Sequence, residues 1–171
     1  MRILAITDKQ DERFLRNKTK PVHLAALEKK ELRKLVREMR ETMQRAPGIG
    51  LAANQVGLAL SLFVAQVPAL RDEGSSEKFY AFFNPKIVRM SGKKVLLQEG
   101  CLSVPGLHGL VERDPEVTLE GYTVNGKKVK VKARGLLAHV FQHEVDHLRG
   151  VLFTDTAKET YSINTADGQG Q

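Results

Sequence analysis

His143-Glu144-Val145-Asp146-His147 sets two imidazoles four residues apart in a run that reads as helix. On a helix that spacing puts both rings on one face about a turn apart, where they can share one cation. Glu144 then projects beside the ion rather than onto it, as a base able to take a proton from a water the ion activates. A bare H-E-x-x-H pattern also arises by chance. Here the surrounding run Leu136–Leu148 is apolar on more than one side, so the helix is expected to be buried. Burying two His, a Glu and an Asp together is costly without compensation, and a divalent cation supplies much of it.

A catalytic site of this type needs a third protein ligand and an open position for water. Downstream of His147 the chain offers Asp155 and Glu159 but no further His or Cys. Upstream, Glu99-Gly100-Cys101-Leu102-Ser103 holds the only cysteine, and a thiolate is a strong ligand for borderline-soft metals. On burial habits alone a lone cysteine is more often a small core residue than a ligand. The third cluster is Gly48-Ile-Gly-Leu-Ala-Ala-Asn-Gln55, small residues around one amide donor suited to stabilising an oxyanion. Alone, it reads more readily as a packed turn.

These residues need elements to hold them. Leu24, Leu27, Leu32, Leu35, Val36, Met39 and Met43 recur at helical spacing, predicting an amphipathic helix over 24–45 that ends at Pro47-Gly48. Residues 61–67 read as a strand closed by Pro68, then 71–77 as a polar loop, and further strands are expected over 79–90 and 93–98. Val117 and Leu119 alternate on one side of Asn125-Gly126 and Val129 and Val131 on the other, a hairpin signature in which both turn residues tolerate positive φ. Gly135 and Gly150 bracket the late helix, and the tail from about 162 is polar and Gly-rich. The class is therefore α+β, mainly antiparallel sheet packed around a buried metal-binding helix.

Composition narrows the rest. With 171 residues the chain suits a single domain over 1–171, and no apolar run reaches the roughly 20 residues of a membrane-spanning helix. One cysteine forms no internal disulfide, and Met1–Asp8 turns acidic too early for a secretory signal, so the expected compartment is the cytoplasm. The net charge of +7 permits contact with nucleic acid without demanding it. Its clusters, Lys29 to Arg37 and Lys127 to Lys132, read as solvated faces.

Taken in order, Gly48–Gln55, Glu99–Ser103 and Gln142–Gly150 resemble the motifs G-x-G-x-A-A-x-Q, E-G-C-x-S and Q-H-E-x-D-H-x-x-G of the peptide deformylase family, without a mismatch. The resemblance runs from the helix before the first motif through Phe153. It implies a metal-dependent hydrolase that removes the formyl group from the initiator methionine of nascent polypeptides. Cys101, His143 and His147 would bind one divalent ion, ferrous iron by family habit, with zinc, nickel or cobalt as alternatives. Glu144 would be general base and then general acid, and Gln55 with the Leu102 N–H would form the oxyanion hole. Gly50 would pair its backbone with substrate, and Ile49, Leu97, Leu136, His139 and Val140 would shape the methionine pocket. The implied partners are N-formylmethionyl peptides, with transient ribosome contact, and neither a membrane nor a specific nucleic acid. Asp146 is expected to pair with Arg113 and steady the helix from behind.

Departures from the family pattern are confined to the periphery. Thr7–Arg13 replaces a Pro-Asp-Pro-like segment, 156–171 is short and polar where some relatives carry a basic ribosome-docking helix, and His108 lies where members vary. Two other readings compete. A zinc peptidase acting on internal peptide bonds shares the helix motif but gives Cys101 and Gln55 no role. A non-catalytic basic module with a structural metal leaves Glu144 unexplained, because structural sites are normally closed by four protein ligands.

Overall fold

The computed structural model describes residues 1–68 and 78–163. The polar loop expected over 71–77 and most of the tail lie outside the described residues. Asp8 accepts from the N–H groups of Gln10 and Asp11 and so caps helix α1, Lys9–Leu15. Helix α2 spans Lys29–Arg45 rather than 24–45. Leu24–Ala26 is a separate 3-10 turn and Leu27 is extended. The cause is Asn84, whose side chain accepts from Val22 N at 2.7 Å and donates to Val22 O at 2.9 Å, fixing the chain just ahead of the helix.

Eight strands occur among the described residues: β1 Gly50–Ala52, β2 Leu62–Val67, β3 Lys78–Met90, β4 Val95–Cys101, β5 Val104–Arg113, β6 Glu116–Tyr122, β7 Lys128–Arg134 and β8 Ala157–Ser162. They form two sheets, β1-β2-β3-β6-β7 and β4-β5-β8, with every strand pair antiparallel. The β6–β7 hairpin differs in detail from a two-residue Asn-Gly turn. Gly126 N–H bonds Thr123 O and Thr123 N–H bonds Lys127 O, so Val124-Asn125-Gly126 is a three-residue loop in which only Gly126 takes positive φ, at 79°. Lys128 and Lys130 both reach Glu120, as a solvated, paired face should.

Helix α3, Gly135–Leu148, lies between the sheets. Ala138, Phe141, Val145 and Leu148 pack on Phe63, Ala65, Phe82, Val117 and Leu119 of the five-stranded sheet. Its other flank turns His139, His143 and Asp146 toward β4 and β5. A helix carrying this many polar groups inside a protein requires a partner for each. No helix among the described residues is long and apolar enough to cross a membrane.

The end of α3 is set by Gly150. Its N–H bonds His147 O and the Val151 N–H bonds Asp146 O, a Schellman closure with Gly150 at φ 78°. A Cβ there would lie 2.2 Å from Arg16 O and 2.6 Å from Arg16 C, both backbone atoms. Gly150→Ala is therefore expected to cost about 2–4 kcal/mol of unfolding free energy, from the left-handed backbone plus forced displacement of residue 16. Urea denaturation measures it, and a loss below 1 kcal/mol would show that this corner yields.

Candidate metal centre

Strand β4 and helix α3 bring together what the sequence holds 42 positions apart at the nearest, from Cys101 to His143. Cys101 Sγ lies 3.1 Å from His147 Nε2, and the two Nε2 atoms of His143 and His147 are 3.2 Å apart. One donor atom from each of the three residues falls within 4.8 Å of the others. Typical metal–nitrogen and metal–sulfur bond lengths give tetrahedral edges of about 3.3 Å between nitrogens and about 3.6 Å from nitrogen to sulfur. The donor set thus fits a single small cation. Asp155 and Glu159, the alternative third ligands, are elsewhere: Asp155 pairs with Arg16 and accepts from Leu152 N, and Glu159 is exposed on β8.

The electrostatics behind this triad centre on Glu99, which is 3% exposed. Burial favours its neutral form, but hydrogen bonds from His139, His143 and Arg113 hold it well below the usual carboxylate range. Its Oε2 accepts from His143 Nδ1 at 2.7 Å, which places the ring hydrogen on Nδ1 and turns the Nε2 lone pair toward Cys101 and His147. Its Oε1 accepts from His139 Nε2 at 2.8 Å and from Arg113 Nε at 2.6 Å. Arg113 Nη1 then reaches Asp146 at 2.6 Å, as expected from a charged residue on a buried helix. Arg113 therefore bridges the three-stranded sheet to α3.

Removing that bridge strands Glu99 without its permanent cation. Arg113→Ala is expected to cost about 3–5 kcal/mol, the usual penalty for breaking a buried pair from one side. It should also weaken metal retention, because Glu99, which orients His143, loses the cation that fixes it. Chemical denaturation and metal analysis on one preparation measure both, and an unchanged midpoint would remove Arg113 from this role.

Glu144, 3% exposed, sits beside the triad, and its Oε2 has no hydrogen-bond partner among the described residues. Burial first, then the Glu99 charge, pushes its carboxyl well above the usual range. A buried acceptor without a partner next to three convergent ligand atoms is what a site built for a charged guest looks like. Gly50 makes room for it, since a Cβ at that position would stand 2.2 Å from Glu144 Oε1. Gln55 is oriented from both ends: Oε1 accepts from Ala52 N at 2.8 Å, and Nε2 donates to Ser103 Oγ at 3.1 Å and lies 3.5 Å from Cys101 Sγ. The amino-terminal segment secures this arrangement, with Leu4 N–H on Gln55 O and Ile6 N–H on Ser103 O.

These groups open onto a cavity of about 390 Å³ walled by Ile49, Gly50, Gln55, Cys101, Leu102, Leu136, His139, Val140, His143 and Glu144, among others. His147 lies beneath, 1% exposed. Leu97, expected in the pocket, is not among the lining residues. It is four residues from Cys101 along β4, about 13 Å for an extended strand, with Glu99 between them. His139 does line the cavity, yet its Nε2 is committed to Glu99. Sequence reasoning quoted Glu99 only as part of a motif and gave no role to Ser103, Asn54 or Gln142. Asn54 Nδ2 bonds His147 O at 2.6 Å, and Gln142 ties α3 to Asp114 through both backbone groups. A polar residue inside an otherwise apolar or glycine-rich run was the available signal for each.

Known proteins agree with the geometry. The polypeptide deformylase family model matches residues 3–162. The peptide deformylase of Chloroflexus aurantiacus is 41% identical over 171 residues, covering 95% of this chain and 89% of its own length. That of Rhizobium meliloti is 46% identical over 125 residues, covering 73% of this chain and 70% of its own. Among solved structures, a probable peptide deformylase from Synechococcus phage S-SSM7 superposes with a TM-score of 0.80 at 40% identity, covering 91% of this chain and 99% of that one. The Synechococcus elongatus enzyme in complex with actinonin gives 0.79 at 40% identity, covering 92% of this chain and 80% of that one. With sequence, fold and ligand cluster in agreement across most of its length, this chain belongs to the peptide deformylase family.

Proposed function

We propose that this chain hydrolyses the formyl group from the methionine that begins newly made polypeptides, releasing formate, with Cys101, His143 and His147 holding the divalent cation the reaction needs. One observation carries the reading: a lone thiol converges on two imidazoles beside a buried carboxyl that has no partner among the described residues. When bound, such a cation makes a water nucleophilic near neutral pH and polarises the carbonyl.

The remaining work falls to the chain. Glu144 accepts the proton the water gives up and returns it to the leaving α-nitrogen, because an amine does not depart as an anion. Gln55 Nε2 and the Leu102 N–H donate to the formyl oxygen as it gains charge, each worth roughly 3–4 kcal/mol of barrier. Ala52 already fixes the far end of Gln55, so only the Nε2 contacts to Ser103 and Cys101 have to give way. Strand β1 ends the five-stranded order, so Gly50 can offer its backbone to an extended peptide. Ile49, Leu136 and Val140 give the methionine side chain an apolar wall.

Within this reading ferrous iron is the natural metal, with zinc, nickel or cobalt as substitutes, and the ferrous form is oxygen-sensitive through Cys101. The whole chain acts as one catalytic domain in the cytoplasm, with formylated nascent peptides as its substrates. Formate release from formyl-Met-Ala, assayed anaerobically with metal analysis of the same sample, is the test. Turnover with about one ion per chain supports it. Cleavage of an internal peptide bond with no formate released would transfer the site to the zinc peptidases.

A further inference from the structure

The turn that carries Gln55 holds a second buried amide next to it. Asn54, in the 3-10 turn Ala53–Val56, is 1% exposed and meets the end of α3 beneath the cavity. Its Nδ2 donates to His147 O at 2.6 Å and to Leu15 O at 3.3 Å. Both are backbone carbonyls, which only accept, so the amide has one orientation and Oδ1 is the atom left over. Among the described residues three buried side-chain nitrogen or oxygen atoms lack a hydrogen-bond partner: Glu144 Oε2, Asn54 Oδ1 and His147 Nδ1. The first belongs to the proposed chemistry. The other two are complementary. His147 Nε2 faces Cys101 Sγ at 3.1 Å and His143 Nε2 at 3.2 Å, so as a ligand atom it keeps its lone pair and the ring hydrogen sits on Nδ1. A donor and an acceptor, each unmet, thus lie buried on two residues that already touch. Ordered water is the usual remedy for such a pair.

We propose that Asn54 is a positioning residue for His147, its Oδ1 receiving the Nδ1–H through one buried water. This rests on the reading of Cys101, His143 and His147 as metal ligands. A metal-bound imidazole is held in orientation by the hydrogen bond its other nitrogen makes. Glu99 does this for His143, whereas His147 has no side-chain partner at Nδ1. A water accepting from Nδ1 and donating to Oδ1 has the two polar contacts a buried water needs. Because Asn54 is also tied to His147 O, the ring and its helix end are held from the same side chain. One short turn then sets both a metal ligand, through Asn54, and the donor Gln55.

Chelator-competition titrations with zinc at one pH compare the wild type with Asn54→Leu and Asn54→Asp, alongside urea denaturation of the metal-free forms. Asn54→Leu keeps nearly the same shape without either polar end and should weaken zinc binding about 10- to 100-fold. Asn54→Asp keeps an oxygen acceptor but loses the amide donor. Both variants should therefore lose stability, while Asn54→Asp binds zinc nearly as tightly as the wild type or more so. A zinc-loaded crystal of the wild type should show a water within about 3.2 Å of both Nδ1 and Oδ1, a measurement that stands even where a variant fails to fold. Equal losses of affinity in the two variants would make Asn54 a structural plug and overturn the proposal. Unchanged affinity in Asn54→Leu, or Nδ1 bonded to another protein group, would overturn it too. A wild type that binds no zinc would instead overturn the ligand assignment beneath it.

Discussion

Glu144→Gln should lower kcat for formate release by about 10²- to 10⁴-fold while leaving fold and bound metal in place. The amide has the shape of the carboxylate, so the close packing against Gly50 survives. What disappears is the only acid among the cavity-lining residues beside the triad that is not already engaged: Glu99 is occupied by His139, His143 and Arg113. Glu99 cannot substitute, because its hydrogen-bond donors hold it far below the range in which it could carry a proton at neutral pH. KM should change little, since Glu144 is proposed to move protons rather than bind peptide. Stability should hold or rise, because a buried ionisable group with a partnerless oxygen is a liability kept for chemistry. Turnover within tenfold of the wild type, with metal still bound, would place the proton transfer elsewhere.

How far the sequence reveals this site depends on which interactions are local. The i, i+4 histidines, the helix carrying them and its glycine boundaries are set within one stretch of chain, and their periodicity is legible there. Cys101 could be linked to them only through its neighbours Glu99 and Gly100, because no spacing rule connects a strand to a helix 42 positions away at the nearest ligand. Strand β5 stayed hidden for a physical reason: Pro105, Gly106 and Gly109 break the alternation that marks a strand. Its pairing comes from β4 and β8 rather than from its own propensity. The start of α2 misleads in the opposite sense, since Leu24 and Leu27 keep helical spacing while Asn84, some 60 positions on, ties down the chain ahead of them at Val22. The same limit applies to Glu99. Its chemistry comes from three donors on two other elements, and only its placement in a buried strand makes it the hub.

Cys101 titration gives the second large effect. In the metal-free chain burial pushes the thiol up to about 12, with the Glu144 and Glu99 charges adding to the rise. A cation binds the thiolate, so loading must expel a proton wherever the pH lies below that value. Linkage then fixes the sign: apparent metal affinity increases tenfold for each pH unit gained across about pH 6 to 8, and falls equally as pH drops. His147 adds no competing proton in that window, since burial, and next His143, push it well below the ordinary histidine range. Competition titrations with a chelator of known pH dependence should therefore return a slope of at least one proton per ion. Cys101→Ala should remove the Cys101 proton from that slope and weaken binding by more than ~100-fold, because loss of an orienting outer contact alone costs about 10–100-fold. A wild-type affinity flat with pH would mean that the thiol is not displaced on loading, and hence that the sulfur is not a ligand. A slope unaltered in Cys101→Ala would assign the expelled proton to another group, leaving the two imidazoles to hold the ion without it.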